Sequence, residues 1–213
     1  MHPWDCPDWE YKHHPDYSQL AGRCAALLID LRTGRLPVRP IPRDTRSCHS
    51  RMFTGLTPVN CAYYAGHYRG SPHRCLRFYE VGVHGDARVG TRAAMVWADL
   101  EFLHEIIEGG FEALNQAFAL PDAQLPPNEK VYYLVTFACR ILVEFMRVHP
   151  YANGNGHMGR LVVSSILGVF GIWPKKWPLN DRPPDPPYSA LLSAHRDGHK
   201  EHLEKFVLQC IIG

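Results

Sequence analysis

The chain has 213 residues, 46% of them hydrophobic and 21% charged, with a formal charge of +2. That length suits one domain with a substantial core, and the balance is ordinary for a soluble globular chain. Such a near-neutral charge gives no nucleic-acid footprint, and no apolar run approaches the ~18 residues of a membrane span, so neither nucleic acid nor membrane is expected as a partner. The first residues lack the basic and apolar regions of a secretory leader, making the cytoplasm the expected compartment, although a secreted effector is also compatible. Seven scattered cysteines, with no Cys-x-x-Cys pair, predict neither a disulfide framework nor a structural zinc site.

In chain order, residues 1–15 read as an irregular lead-in. A helix is expected to residue 32, with Asp16 or Ser18 as cap and Leu20, Cys24, Leu27, Leu28 and Leu31 along one side. Residues 32–51 hold six arginines, three prolines and one Asp, which predicts a basic loop, either simply solvated or facing an acidic partner or nucleotide phosphates. Residues 75–83 (CLRFYEVGV) carry the best strand pattern, and His84-Gly85-Asp86 predict a turn into a short return strand. One hairpin in a helical chain is marginal alone, so its edge is open to pairing, though a purely structural hairpin reads equally well.

Helices are expected at 92–108, 111–118 and 128–148, the last with only Thr136, Arg140, Glu144 and Arg147 as a polar stripe. Residues 156–170 repeat that design, with His157, Arg160 and Ser164 as the stripe. Two nearly buried helices joined by a short loop predict the centre of a bundle. The stretch 173–187, with six prolines, reads as a wrapping loop, and helices at 187–196 and 199–211 close a mainly α chain.

Between the two central helices lies HPYANGNGHMGR, residues 149–160. Its glycines allow the backbone close to a ligand, and the unpaired N–H groups of the following helix suit an anion such as phosphate. Arg160, one turn in, can reach the same anion. His149 reads either as a helix cap or as a general base beside it. A metal site is disfavoured, because no Asp or Glu lies between His149 and His157.

This segment resembles the Fic signature, His-Pro-Phe-x-(Asp/Glu)-Gly-Asn-Gly-Arg-x-x-Arg, matching at His149, Pro150, Gly154, Asn155, Gly156 and Arg160, with Tyr151 for the aromatic. Ala65-Gly66-His67-Tyr68-Arg69, the hairpin region and the tail from Tyr188 are similar to further family segments. The resemblance spans roughly residues 50–210. It implies a Fic-fold helical bundle with a small β-hairpin flap over residues 51–213, and an N-terminal extension over 1–50.

The implied activity is protein adenylyl transfer. AMP would pass from ATP, with Mg²⁺ or Mn²⁺, to a Ser, Thr or Tyr hydroxyl of a target protein. His149 would be the base, Gly154, Asn155 and Gly156 the anion hole, and Arg160 the holder of the outer phosphates, with Asn153 and His157 also at the nucleotide. Leu76, Phe78, Glu80 and Val81 would form the flap that docks the target by strand addition.

Two departures stand out. Asn153 replaces the metal-binding carboxylate, which predicts a weak metal ligand, and His157 replaces the first arginine. Gly156 favours nucleotidyl transfer over the phosphoryl transfer of relatives with Lys there. The alternatives are a Fic-fold enzyme with another donor (UMP or a phosphoryl group) and a catalytically weak nucleotide-binding module. The family's self-inhibitory motif, Ser/Thr-x-x-x-Glu-Gly/Asn, has no counterpart: only Glu108 precedes such a residue, with His104 four before it. A separate small inhibitor protein is therefore expected.

Overall fold

A computed structural model describes residues 6–83 and 86–213. Among the described residues seven α-helices make up the framework: α1 (Gln19–Arg32), α2 (Arg46–Phe53), α3 (Val96–Ala119), α4 (Pro127–Val148), α5 (Asn155–Val169), α6 (Tyr188–Arg196) and α7 (Glu201–Ile212). The mainly α helical bundle is as expected. Helix α5 is its axis: Asn155 and every residue from His157 to Leu167 are buried, because α1, α4 and the segment 173–179 all lie against it. Amphipathic α4 covers it with Leu134, Ala138, Ile141, Leu142 and Phe145.

Four expectations change. The break between residues 108 and 111 is absent, and α3 runs unbroken through Gly109 and Gly110. At the second glycine α4 packs tightly, since a Cβ there would stand 2.0 Å from a carbon of the Phe137 ring. Tertiary contact thus overrides the helix-breaking tendency of the pair.

The strand at 75–83 is not formed. Leu76–Phe78 is a single 3-10 turn, and among the described residues the only β pairing is one antiparallel bridge, Val83 to Asp86. His84 and Gly85, expected at the turn, lie outside the described residues. Cys75 and Leu76 are buried while Arg77 and Phe78 stay exposed, a step from core to surface that a single turn accommodates.

The basic loop is interrupted by α2, and its arginines stay at the surface while pairing with groups of the same chain. Arg39 stacks on Phe111 and pairs with Glu108, as does Arg43. Arg35 and Arg51 share Asp30, Arg46 holds Asp44, and Arg32 donates to the Pro174 carbonyl. The run therefore lies at the surface, with its charges engaged in these ion pairs.

Cys6 and Cys75 form a disulfide, against the expectation that no cysteines pair. Scattered spacing carries no information about a contact across 69 residues. The remaining cysteines, Cys24, Cys48, Cys61, Cys139 and Cys210, are free and buried.

Residues 6–50 pack into the same core as the rest: Trp9, Leu20, Cys24, Leu27 and Leu31 belong to it. Neither Asp16 nor Ser18 caps α1 by a side-chain bond. Among the described residues no helix is long and apolar enough to cross a membrane.

Candidate active site

The loop from α4 to α5 forms the floor of a cavity of about 770 Å³. His149 ends α4 in the left-handed region (φ 51°, ψ 61°). Its Nδ1 lies 2.7 Å from the Met146 carbonyl, so Nδ1 carries the proton and Nε2 is left as the acceptor. Burial, reinforced by the charges of Arg69 and Arg196 against the pull of the Met146 carbonyl, holds this histidine below its ordinary pKa of 6.5. At neutral pH it is an uncharged imidazole lining the cavity.

The αL geometry of His149 is fixed from outside the loop by Arg69, whose side chain is fully buried. Its Nε donates to the His149 carbonyl (2.8 Å), Nη2 to Val148 (3.0 Å) and Thr91 (2.8 Å), and Nη1 to Tyr79 (3.0 Å). Its backbone N–H donates to the Pro150 carbonyl. A single guanidinium thus ties the end of α4 to both sides of the 79–91 segment, using the fork of donors that only arginine has.

His49 of α2 does the same for the far side of the loop. Its Nδ1 accepts from the Gly66 N–H (2.9 Å), which leaves Nε2–H to donate to the Asn153 carbonyl (3.0 Å). Its ring stacks on Tyr151, with centroids 3.8 Å apart and planes 4° from parallel. Full burial drives its pKa down to about 3.

The signature residues then divide by role. Gly154 sits at φ 79° with the Phe53 ring 2.5 Å from where a Cβ would be, so no other residue fits there. The Asn155 side chain is turned inward, accepting from the Tyr151 N–H (2.8 Å) and donating to the Tyr151 carbonyl (2.9 Å). Its contribution to a ligand is therefore its backbone N–H alone. His157 and Met158 N–H groups return to the Gly154 carbonyl, leaving those of Asn155 and Gly156 as the unpaired donors at the start of α5. Arg160 is 3% exposed, its Nη2 bonded to the Leu179 carbonyl (2.9 Å) and its Nη1 3.3 Å from where a Gly156 Cβ would stand.

His157 is buried edge-on against Tyr11 and Phe53. Burial first, then Arg160, pushes its pKa down to about 3, so it is neutral. Its Nε2 and the Arg160 Nε have no hydrogen-bond partner.

Asn153 does not fit a magnesium ligand. Its Oδ1 accepts from the Gly154 N–H (2.7 Å) and its Nδ2 donates to the Trp9 carbonyl, so both ends of this neutral amide are already engaged within the chain, and a neutral oxygen attracts a hard cation less than the family carboxylate does. Nor do the described residues contain a cluster of three or more side chains suited to a metal.

Of the expected flap residues, Leu76 is fully buried and offers nothing to a target. Glu80 and Val81 line the cavity, with Glu80 accepting from the Ala93 N–H and pairing with Arg69 at 3.6 Å. Phe78 is 56% exposed outside that wall.

The residues missed from sequence include His49, which holds the loop from α2, and several from the lead-in. Trp9, itself anchored through Nε1 to the Leu56 carbonyl, holds Asn153, while Tyr11 and Lys12 form part of the cavity wall. The dense aromatic content of residues 4–17 was the available signal.

A family model described as Fic/DOC matches residues 42–167, well over half of the chain. The chain belongs to the Fic/DOC family. The match covers α2 to α4, the whole loop and nearly all of α5, while the Trp9–Tyr17 strap, α1, the proline-rich stretch and α6 and α7 of this Fic protein fall outside it. Membership supports nucleotide transfer as the general class of activity. A comparison with the curated proteins finds no match.

Proposed function

We propose that this Fic protein transfers AMP from ATP to a Ser, Thr or Tyr hydroxyl of a target protein, with His149 as the general base. The observation that carries the reading is the His149 tautomer: Nδ1–H is fixed on the Met146 carbonyl, and the neutral Nε2 shares a cavity with the unpaired N–H groups of Asn155 and Gly156. The target's hydroxyl proton passes to Nε2 as its oxygen bonds to the α-phosphorus. The bond from that phosphorus to the bridging oxygen breaks, and pyrophosphate leaves with the electron pair. Such a step asks the protein chiefly for positioning and charge stabilisation. The two N–H groups stabilise the α-phosphate, and Arg160 lies beside them for the phosphates beyond. The target segment lies along the 79–83 wall, which carries no regular strand, so side-chain contacts add to any strand pairing there.

The Trp9 bond to Asn153, which occupies the position of the family carboxylate, favours one second reading: a nucleotide-binding module without turnover. Both are tested by incubating the full chain, and its His149→Ala variant, with ATP labelled at the α-phosphate and a cell lysate. Protein-bound label that disappears in the variant is expected. Nucleotide binding without label transfer would support the module, and transfer from γ-labelled ATP alone would indicate phosphoryl transfer.

A further inference from the structure

Within residues 149–160 the only side chain charged at neutral pH is Arg160, because His149 and His157 are held neutral. A nucleoside triphosphate brings several negative charges, and Asn153 does not hold the divalent ion that would offset them. The buried Arg160 guanidinium still has an unspent donor: its Nε–H lacks a hydrogen-bond partner, and buried polar atoms in native sites are rarely left so.

Three other cations line the cavity: Lys12, Arg182 and Arg196. Arg196 is already committed to Asp86 through Nε (3.1 Å) and Nη2 (2.7 Å). The other two are differently placed. Lys12 follows Tyr11, whose ring packs on His157 with centroids 5.6 Å apart, and its charge is felt at His157. Arg182 comes from the proline-rich stretch. Its charge acts on Arg160, on Tyr11 and on Tyr188, which converge at the start of α5. Its partner Asp185, at 3.0 Å, is a surface pair of the kind that contributes little and yields to a stronger anion.

We propose that Lys12 and Arg182 complete the anion site begun by Arg160 and the Asn155 and Gly156 N–H groups, gripping the outer phosphates of a nucleoside triphosphate. Both lie outside the family-matched segment, one on either flank of it, and together they supply the positive charge that a metal ion would otherwise carry. The inference rests on the phosphate reading of the loop.

The test is calorimetric titration of ATP and of AMP into the full chain and the Lys12→Ala/Arg182→Ala double variant, all in EDTA. Because both side chains are exposed, the variant is expected to keep its melting temperature. We expect the wild type to bind ATP in EDTA, and the double variant to lose affinity for ATP by at least about tenfold but for AMP by no more than about twofold. Equal ATP affinity in variant and wild type would overturn the cation pair and leave the proposed function standing. So would wild-type binding that requires added Mg²⁺. A wild type that binds neither nucleotide under any metal would remove the phosphate reading itself, and this inference with it.

Discussion

Tyr151 stands where the family signature has a phenylalanine, and its extra oxygen is not idle. Fully buried, it shares a 2.8 Å hydrogen bond with Thr45 Oγ1, itself 1% exposed. Replacing Tyr151 by Phe keeps the ring stacked on His49 but takes away the Thr45 partner, so unfolding free energy should fall by about 1 kcal/mol with label transfer unchanged within about twofold. Chemical denaturation of Tyr151→Phe beside the wild type checks this, and an unchanged midpoint would deny the hydroxyl pair any structural part. His149→Ala is the complementary case. It removes Nε2 and the Met146 bond from a side chain that packs against a cavity, so transfer should vanish while the melting temperature stays close to wild type. At this scale the sequence was legible where chemistry and spacing are local: His149, Gly154 and Arg160 are within a dozen residues of each other. It was silent on His49 and Arg69, because the bonds that define their roles, to Asn153 and to His149, reach across 104 and 80 residues.

Helices α3 to α7 show which patterns survive tertiary contact. The stripes on α4 and α5 predicted their ends closely and the burial of α5, although Tyr132 and Tyr133 near the start of α4 stay about half exposed. The Gly109-Gly110 pair misled because the penalty for glycine in a helix is small beside what close packing on Phe137 returns. This gives two opposite outcomes for neighbouring residues. A Cβ at Gly109 meets nothing within 4 Å, so Gly109→Ala should raise stability by roughly 0.5–1 kcal/mol. Gly110→Ala must displace the Phe137 ring and should lower stability by about 1–3 kcal/mol. Thermal unfolding of the two variants decides it, and two changes of the same sign would count against the packing account. The flap region was misread for the converse reason. Residues 75–83 have strand-like composition, but with no second strand to pair the backbone settles into a turn stapled by Arg69 and the Cys6–Cys75 bond.

For the whole molecule, the buried histidines set a dependence on acidity. His49 and His157, both with pKa about 3 in the fold and 6.5 as their ordinary value, are kept neutral by burial. Between those values the unfolded chain binds protons that the folded chain does not, so their contribution is complete above about pH 6.5 and is lost as pH falls towards 3. By pH 5 the loss should be roughly 1–2 kcal/mol for each, and melting curves between pH 7.5 and pH 5 (values chosen to bracket about 6.5) should shift steadily downward. A melting temperature flat across that range would mean the two rings are hydrated in solution. His49 also holds Asn153, and protonating its Nδ1 would break the bond it accepts from the Gly66 N–H.

The strap from Trp9 to Tyr17 supplies a cavity wall from a stretch that contains no α-helix and leads directly into the exposed start of α1. A protease cutting just after Tyr17 would leave every helix intact, yet the freed piece could not drift away, because Cys6 remains joined to Cys75 beneath the flap. Only cleavage together with reduction would release it. The wall of the cavity is thereby secured by two covalent links of different chemistry, and severing either one alone leaves Trp9 tethered within reach of Asn153.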